Sequence, residues 1–352
     1  MYSFICDYSE GAHPSVMKAL TDIAYEQNEG YNYDKHCANA ANMVRDLIKR
    51  PDADVYFMPG GTPTNTISIA GSLKSFEAVI APSTGHIEVH ETGAIEATGH
   101  KIISVDNCPD GKLTADIIRR VVGGFEDEHT VVRKMVFLTN PTESGSIYYK
   151  SELEAIRQVC DENDMYLYVD GARLGGAITA EGNDVTMEDL GRLCDIFYIG
   201  GTKNGALMAE ALIVLNEKIK PDFRFHIKQR GALTAKGFIL GAQFEALLKD
   251  DLYFKMADHS NKCAQTLAKG IAALGYSFDV VSPTNQIFPI LPKPMIEELL
   301  KSYEFYVWAP HSETHSVIRL VCSWATPEEK VDQFLEDFKA LHEKYAALNV
   351  AP

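Results

Sequence analysis

The sequence predicts an α/β fold, in which helices cover both faces of a mostly parallel sheet, together with a smaller α+β domain at the C-terminal end. Six short apolar runs, typical of buried strands, alternate with helical patterns up to about residue 200. From about Gly231 the pattern changes to long helices followed by separate strand-like runs. The chain has 352 residues and 46% hydrophobic content, enough for its core to divide in two. We therefore expect an N-terminal segment and large domain over residues 1–250 and a small domain over 251–352.

The individual elements follow from the spacing of apolar residues. Pro14 suits the first turn of a helix, and an apolar stripe from Val16 to Ala24 continues that helix. A second stripe, which includes Ile48, predicts a helix that ends before Pro51. The predicted strands are 55–58, 78–80, 102–105, 135–138, 166–169 and 196–199, and the clearest helix between them is 151–160. In the C-terminal part we expect helices over 232–248 and 253–274 and strands over 278–281, 286–290 and 317–321.

Composition and charge exclude several classes of partner. The chain has 33 Lys and Arg against 49 Asp and Glu, a net charge of -16, so we expect no nucleic acid and no anionic membrane as partner. The longest uncharged stretch, 55–73, contains Pro59 and Pro63 and is unsuited to a membrane helix. The N-terminus lacks the basic and apolar regions of a signal peptide. Seven scattered cysteines argue against a disulfide framework and a zinc site, and favour the cytoplasm.

A glycine-rich turn follows the first predicted strand. Gly60-Gly61-Thr62-Pro63-Thr64-Asn65 leads directly into a helix. Glycines let the backbone approach an anion, and the free N–H groups and dipole of a helix N-terminus attract it. The segment lacks the spacing of known nucleotide loops. A phosphate cradle and a turn that merely starts a helix are therefore both open.

Two further strand ends carry ionisable side chains. Asp170 ends an apolar strand and precedes Arg173, which favours either a structural ion pair or a functional carboxylate. Lys203 lies among the small residues of the segment 200–205 after the next strand. In a desolvated pocket its pKa would fall and its amine would be free for Schiff-base chemistry. The alternative is an ordinary solvated lysine on a loop.

A pair of histidines follows another strand. His86 and His90 are four residues apart, the spacing at which two side chains on a helix can bind a metal. The order of residues differs from that of zinc proteases, and no third ligand is apparent in the sequence. We therefore expect no metal here and favour an aromatic role for His86.

In combination these features are more specific than any one of them. The chain resembles the pyridoxal-phosphate enzymes of the aspartate-aminotransferase-like fold, called fold type I, and within them the low-specificity L-threonine aldolases of the β-eliminating lyase group. The resemblance is strongest in the segments 170–174 and 200–203, and in His86-Ile87 with Glu91-Thr92-Gly93. The segments 7–11, 30–34 and 318–321 match the pattern approximately.

The resemblance implies a cofactor, pyridoxal 5'-phosphate, and roles for particular residues. Lys203 would carry it covalently, Asp170 would keep its pyridine nitrogen protonated, and His86 would stack on its ring. The remaining cofactor contacts implied are Gly60, Gly61, Thr62, Asn65, Arg173, Thr202 and Arg230, with Lys228 as an alternative to Arg230.

For the amino acid substrate, the resemblance implies that Arg319 and Arg173 grip the carboxylate, because paired donors suit Arg. The other implied substrate contacts are Tyr31, Ser9 and Thr142. Tyr31 and Arg230 match positions that reach a neighbouring subunit in the family. The implied assembly is a homodimer or homotetramer with shared active sites.

The implied reaction is aldol cleavage of a β-hydroxy-α-amino acid, such as L-threonine or L-allo-threonine, to glycine and acetaldehyde. Threonine aldolases commonly have a second histidine where this chain has Thr142. The base that takes the hydroxyl proton is therefore left open between His86, His90 and a water held by Thr142 or Glu143. The alternative reactions, β-elimination or transamination of another amino acid, would use the same Lys203, Asp170 and Arg319.

Overall fold

The computed structural model describes residues 1–124 and 127–345. The strands are β1 (Tyr2–Ser3), β2 (Asp54–Met58), β3 (Glu77–Pro82), β4 (Lys101–Val105), β5 (Val132–Thr139), β6 (Tyr166–Asp170), β7 (Ile196–Gly200), β8 (Glu210–Val214), β9 (Gln286–Ile287), β10 (Ile290–Pro292), β11 (Tyr303–Glu304), β12 (Tyr306–Pro310) and β13 (His315–Val321). The helices are α1 (Pro14–Asp22), α2 (Lys35–Ile48), α3 (Gly61–Ser72), α4 (His86–Val89), α5 (Ala115–Val122), α6 (Lys150–Glu162), α7 (Leu174–Ile178), α8 (Met187–Leu193), α9 (Phe223–Gln229), α10 (Phe238–Leu248), α11 (Leu252–Ala273), α12 (Lys293–Leu299) and α13 (Glu328–Tyr345).

The central sheet has the order β2-β8-β7-β6-β5-β3-β4. Its strands run parallel except β8, which is antiparallel to both β2 and β7. The side chains of the sheet pack into two large apolar clusters, one of which includes Val16 and the other Met58. Two such clusters are expected for a sheet covered on both faces. The mostly parallel sheet and all six strands predicted from the sequence are confirmed, whereas β8 was not predicted.

The direction of the strands determines where the site forms. The carboxyl ends of β2, β3, β5, β6 and β7 lie at one edge of the sheet. Ligands in open α/β sheets bind at this edge. Asp170 ends β6, and the segments that follow the other four strands carry Gly60, His86, Glu143 and Lys203. Parallel pairing therefore brings together side chains that are far apart in the sequence.

A smaller layer follows the central sheet. β13 pairs in antiparallel fashion with β9, β10 and β12, and its apolar cluster includes residues from α11, α12 and α13. The N-terminal β1 pairs with β11, and Phe4 is completely buried in the same cluster. The N-terminal segment thus packs with the C-terminal layer. The division at residue 250 stays a prediction.

The helix predicted over 232–248 begins only at Phe238, so that prediction was wrong for its first turns. The reason is a contact with the loop that includes Tyr31 and Asn32. The N–H of Tyr31 donates to the carbonyl of Ala235 at 3.3 Å, and Gly237 packs so closely on Asn32 that a β-carbon would lie 1.7 Å from Asn32 Oδ1. Tertiary packing therefore overrides the helical pattern here.

Two strand predictions in the C-terminal part also need correction. Over 278–281 only Phe278 pairs, in a single bridge with Pro289. The run 286–290 is split between β9 and β10, which are separated by Phe288 and Pro289. Proline has no N–H to donate, so Pro289 takes part in the sheet through its carbonyl, which accepts from the N–H of Ile318 at 3.0 Å.

Two further observations concern the helices and the cysteines. None of the helices in the described residues combines the length and apolarity needed to cross a bilayer. All seven cysteines are free thiols, and five of them are buried.

Candidate active site

A cavity of about 430 Å³ lies at the edge of the sheet where the parallel strands end. Four residues of the sequence-predicted site, His86, Arg173, Lys203 and Arg319, line it. The other lining residues are Tyr8, His90, Glu143, Tyr306, Val307 and Trp308. The lining thus has more basic than acidic side chains, and β12 supplies two of its aromatic residues, Tyr306 and Trp308.

The loop that carries Lys203 is held by close backbone packing and by a buried carboxylate. A β-carbon on Gly200 would lie 2.3 Å from the carbonyl of Ala172, so only glycine fits there. Glu210 accepts hydrogen bonds from the N–H of Gly201 at 2.9 Å and from the hydroxyl of Thr202. Burial raises the pKa of Glu210 to about 7. Because its hydroxyl is engaged by Glu210, Thr202 acts here as an anchor of the loop.

Lys203 has the environment that the sequence predicted for a reactive amine. Burial lowers the pKa of its amine, the nearby Arg173 lowers it further, and Asp7, Glu143 and Asp170 only partly oppose them. Within the described residues the amine has no hydrogen bond and no ion pair with a carboxylate. The structure therefore favours the neutral, nucleophilic form more than a solvated lysine does.

Asp170 is a fixed carboxylate below the cavity. It is only 2% exposed, and its oxygens accept from the N–H of Ala172 at 2.9 Å and from Asn65 Nδ2 at 2.9 Å. The hydroxyl of Tyr198 also bonds to it. The alternative of an ion pair between Asp170 and Arg173 is wrong, because Arg173 pairs with a different carboxylate.

Asn65 joins Asp170 to the histidine of the site. Its Nδ2 also donates to Glu91 Oε1 at 2.8 Å, and its Oδ1 accepts from the hydroxyl of Tyr168 at 2.5 Å. Glu91 Oε1 in turn pairs with His86 Nδ1 at 2.8 Å. Both polar atoms of Asn65 are thus used within the protein, so we no longer propose that it binds phosphate.

His86 has its two ring nitrogens in different roles. Burial lowers the pKa of its imidazole, but the bond to Glu91 and the charge of Asp170 outweigh this, and the pKa is raised overall. An ionised Glu91 can only accept, so Nδ1 carries the proton and Nε2 is the acceptor of the neutral ring. His90 lies beside it, with ring centroids 5.5 Å apart. Within the described residues, no group of three or more His, Cys, Asp or Glu is arranged to hold a metal.

Arg173 is paired with a carboxylate of the N-terminal segment. Its Nε and Nη2 donate to the two oxygens of Asp7 at 2.6 Å and 3.0 Å. Asp7 is 1% exposed and also accepts from Asn285 at 3.0 Å. Burial alone would raise the pKa of Asp7, but Arg173 and Lys203 lower it overall. Two of the three guanidinium nitrogens of Arg173 are therefore used by the chain itself.

Arg319, like Lys203, lines the cavity without a carboxylate partner among the described residues. Its guanidinium lies over the rings of Tyr306 and Trp308, 5.0 Å and 4.6 Å from their centroids, and its Nη2 donates to the carbonyl of Ile5 at 3.3 Å. Its Nε is buried without a hydrogen-bond partner. Burial and the nearby Arg173 lower its pKa. A bound carboxylate would supply both the missing acceptor and the missing charge.

The glycine-rich turn forms the N-terminus of α3. Gly60 precedes the helix, Gly61 is its first residue and Thr62 is exposed. A β-carbon on Gly61 would lie 3.2 Å from the hydroxyl of Tyr198, the same hydroxyl that bonds Asp170. The turn is therefore close to Asp170. In the described part of the chain no side chain caps α3, which leaves the N–H groups of Gly61 and Thr62 to bind an anion.

Two predicted substrate contacts lie outside the cavity lining. Ser9 is exposed, with its hydroxyl 3.2 Å from Cys6 Sγ. Thr142 is buried, and its hydroxyl donates to the carbonyl of Asp110 at 3.0 Å. The neighbouring Glu143 lines the cavity instead.

Tyr31 and Arg230 also lie outside the cavity lining of the single chain. Lys228 Nζ is 4.4 Å from the ring centroid of Tyr31, and Arg230 donates to the side chain of Gln229 at 2.9 Å. Tyr31 and Arg230 belong to a surface region with two exposed aromatic residues, Tyr33 and Phe225. That these two residues contribute to a site of a second chain stays a prediction.

Sequence reasoning missed four residues that hold the site together, namely Asp7, Glu91, Glu210 and Asn285. Asp7 and Glu91 belong to segments that carry the family resemblance, but the sequence did not indicate which side chain each carboxylate contacts. Glu210 begins an apolar strand, and a carboxylate in that position is costly to bury without donors. No sequence pattern marked Asn285 as a residue of the site.

Comparisons with known proteins agree with this geometry. The family model of the β-eliminating lyases matches residues 4–292. The low specificity L-threonine aldolase of Pseudomonas aeruginosa is 32% identical over 340 residues, which cover 96% of each chain.

Two solved structures show the same fold. A threonine aldolase from Leishmania major is 47% identical and superimposes with a TM-score of 0.95, covering 97% of this chain and 99% of that one. An aspartate aminotransferase mutant from Thermus thermophilus is 17% identical, with a TM-score of 0.72 over 97% of this chain and 91% of that one. The second similarity concerns the fold alone, and together they confirm fold type I.

Proposed function

The chain belongs to the β-eliminating lyase family, and on that basis we propose that it is a pyridoxal-phosphate-dependent aldolase acting on β-hydroxy-α-amino acids. The proposed substrates are L-threonine and L-allo-threonine, and the products are glycine and acetaldehyde. The observation that carries the proposal is Lys203, a half-buried lysine without an ion pair among the described residues, at the same strand edge as the fixed carboxylate of Asp170.

The residues present fit this cofactor. Lys203 offers an amine for its aldehyde, and Asp170 offers a carboxylate for a protonated ring nitrogen. The N-terminus of α3 at Gly61 and Thr62 offers N–H donors for a phosphate dianion. When bound, pyridoxal phosphate supplies an aldehyde that captures amines and a cationic ring that accepts electrons from Cα.

The chain's own residues orient the substrate and move its protons. Arg319 binds the substrate carboxylate, with the remaining nitrogen of Arg173 nearby. A fixed carboxylate restricts the other bonds at Cα, and this positioning selects which bond breaks. His86 Nε2 takes the β-hydroxyl proton, since Glu91 holds the proton on Nδ1. Thr142 is no longer a candidate for holding the water, because its hydroxyl is bonded to Asp110.

Product analysis separates this reaction from β-elimination and transamination. The purified enzyme with its cofactor should convert L-threonine and L-allo-threonine to equal amounts of glycine and acetaldehyde. A keto acid released with ammonia would indicate elimination, and a keto acid that requires an amino acceptor would indicate transamination. Either result in place of glycine would contradict the proposal.

The acid limb of the pH profile should depend on Glu91. The neutral imidazole of His86 is the active form of the base, so activity rises as pH passes its pKa. Glu91→Gln removes the charge that raises the pKa of His86, so the acid limb of kcat/KM should move to lower pH by about one unit. Glu88→Gln, in the same short helix as His86, is the control and should leave the limb in place. An unmoved limb in the Glu91 variant would remove His86 from the role of base.

Replacing Arg319 should weaken substrate binding. Arg319→Lys keeps the charge but loses the planar group that lies over the rings of Tyr306 and Trp308, together with its fork of donors. We expect KM for L-threonine to rise roughly 10- to 100-fold, the loss of about 1.4–3 kcal/mol for a charged hydrogen bond. Arg192→Lys at the exposed pair with Glu154 is the control. Unchanged KM in the Arg319 variant would show that the carboxylate binds elsewhere.

We further propose a homodimer or homotetramer with shared active sites. Tyr33, two residues after Tyr31, is 63% exposed, and Phe225 of α9 is 75% exposed. Exposed aromatic side chains of this kind suit contact with a second copy of the chain. Such packing would bring Arg230 of one chain to the phosphate site at Gly61 of another. A chain of net charge -16 needs local positive charge at that dianion.

Subunit complementation tests the shared site. Lys203→Ala and Arg230→Ala should each be poorly active, but reassociation of an equal mixture should restore about a quarter of wild-type activity, because half of the dimers are mixed and each has one intact site. Lack of restoration in dimers shown by sedimentation to be mixed, or a fully active monomer, would contradict shared sites.

The proposed partner is thus a small amino acid, and the proposed location is the cytoplasm. The seven free cysteines and the negative net charge are consistent with a reducing compartment and with no nucleic-acid or membrane partner.

A further inference from the structure

Lys203 and Arg173 line a second, much smaller cavity, of about 20 Å³. Its other walls include Asp7, Gly176 of α7, Asn261 of α11 and Asn285 before β9. We call it the inner cavity. Seven of its ten lining residues have polar or charged side chains, and the mechanism above does not use this cavity.

Two buried amide oxygens in this wall have no partner. Asn261 Oδ1 and Asn285 Oδ1 are both inaccessible and accept no hydrogen bond. Leaving such an acceptor unsatisfied costs about 1–3 kcal/mol. Two of them at one small cavity indicate a donor that occupies it.

Neither amide can be reversed to remove the problem. Asn261 Nδ2 donates to the carbonyl of Gly176 at 2.8 Å and to the hydroxyl of Thr179, and that hydroxyl itself donates to Gly175. If the amide were reversed, its oxygen would face the carbonyl of Gly176 and a hydroxyl whose proton is already donated.

The same holds for the second amide. Asn285 Nδ2 donates to Asp7 at 3.0 Å and to the carbonyl of Cys322 at 2.9 Å. Both oxygens are therefore fixed as acceptors that face the inner cavity.

The two oxygens converge on one point. A β-carbon built on Gly176 would lie 3.5 Å from Asn261 Oδ1 and 3.7 Å from Asn285 Oδ1, with no closer neighbour. A single small molecule beside Gly176 can therefore reach both oxygens. The volume of about 20 Å³ exceeds the 10–15 Å³ or so that one water requires.

We propose that the inner cavity binds one ordered water, which donates its two hydrogens to Asn261 and Asn285 and accepts a hydrogen bond from the amine of Lys203. A cation fits less well, because Arg173 and Lys203 already line the cavity and Asp7 is neutralised by Arg173. The water itself does not depend on the proposed function, whereas its importance for catalysis rests on it.

The orientation of the water determines its effect. With both hydrogens committed to amide oxygens, it presents only lone pairs to Lys203. It therefore stabilises the ammonium form and limits the fall in the pKa of Lys203 that burial and Arg173 cause. Asn261 and Asn285 are then positioning residues that act on Lys203 through the water.

A crystal structure of the wild-type enzyme tests the site directly. We expect one density peak beside Gly176, about 2.8 Å from Asn261 Oδ1, from Asn285 Oδ1 and from Lys203 in its free form. No peak, or a peak with many oxygen ligands at about 2.3–2.6 Å that identifies a cation, would overturn the proposal.

Gly176→Ala tests the effect on Lys203. The added methyl fills the place of the water, makes only ordinary van der Waals contacts and sits within a helix, where alanine is tolerated. The pH dependence of acylation of Lys203 in the cofactor-free chain, read by mass spectrometry against exposed Lys101, should shift its midpoint down by about one pH unit. An unchanged midpoint in a folded variant that lacks the water would overturn the role.

The shift is specific because the other charges stay in place. The titratable groups that face Lys203 are Tyr8, Asp7, Glu143, Asp170 and Arg173, with His86, His90 and Glu210 also within reach of its charge. None of them is changed in Gly176→Ala. If the wild-type crystal showed the water and Gly176→Ala shifted the midpoint, but the wild-type enzyme had no aldolase activity, the result would count against the proposed function but not against the water.

Discussion

Lys203→Ala should abolish turnover, with a loss of at least about a thousandfold in kcat. The amine is the group that would bind the cofactor covalently, and within the described residues it has no ion pair that would give it a structural role instead. Its removal should also eliminate the visible absorption band of the bound cofactor. Borohydride reduction of the wild type, followed by mass spectrometry, should place the cofactor on Lys203.

The matched control is Lys134→Ala. Lys134 is also poorly exposed but pairs with Asp164 away from the cavity, so its loss should leave both the band and turnover intact. Full turnover in Lys203→Ala, or an adduct on another lysine, would refute the proposed attachment and with it the mechanism.

Asp170→Asn should lower kcat by at least about a hundredfold while the enzyme still binds its cofactor. The amide has nearly the same shape as the carboxylate but no charge to keep a ring nitrogen protonated, so the ring accepts electrons poorly. The substitution also places an amide opposite the Asn65 Nδ2 that now donates to Asp170. Rates at saturating L-threonine and the cofactor spectrum are the measurements.

Asp195→Asn is the corresponding control for a buried carboxylate. Asp195 pairs with Arg157 outside the cavity, so its replacement should reduce stability without a comparable loss of kcat. Circular dichroism of both variants separates unfolding from loss of chemistry. Unchanged kinetics in folded Asp170→Asn would remove its role as partner of the ring nitrogen.

Much of the site was predictable because it depends on local patterns and on one rule of topology. Apolar runs identified the parallel strands, and Asp170 and Lys203 directly follow or end such runs. Parallel strands place their carboxyl ends at one edge, so residues that end different strands meet. The same reasoning predicted His86, and the resemblance added Arg319 and Arg173, which also line the cavity.

The partners of these residues were not predictable in the same way. Arg173 pairs with Asp7, 166 residues away, and Asn65 binds Asp170, 105 residues away. No short-range pattern specifies such pairs, because many side chains in the sequence have the right chemistry. Packing of the N-terminal segment against the C-terminal layer selects Asp7, and it thereby changes Arg173 from a free substrate contact into a paired one.

The sequence by itself therefore determined the strands, the glycine turn and the reactive groups at the strand ends, since these depend on neighbours along the chain. Only the tertiary structure decided which carboxylate each cation faces, which nitrogen of His86 carries the proton and which arginine is left for a substrate. Those properties depend on burial and on distances between segments, and folding alone sets both.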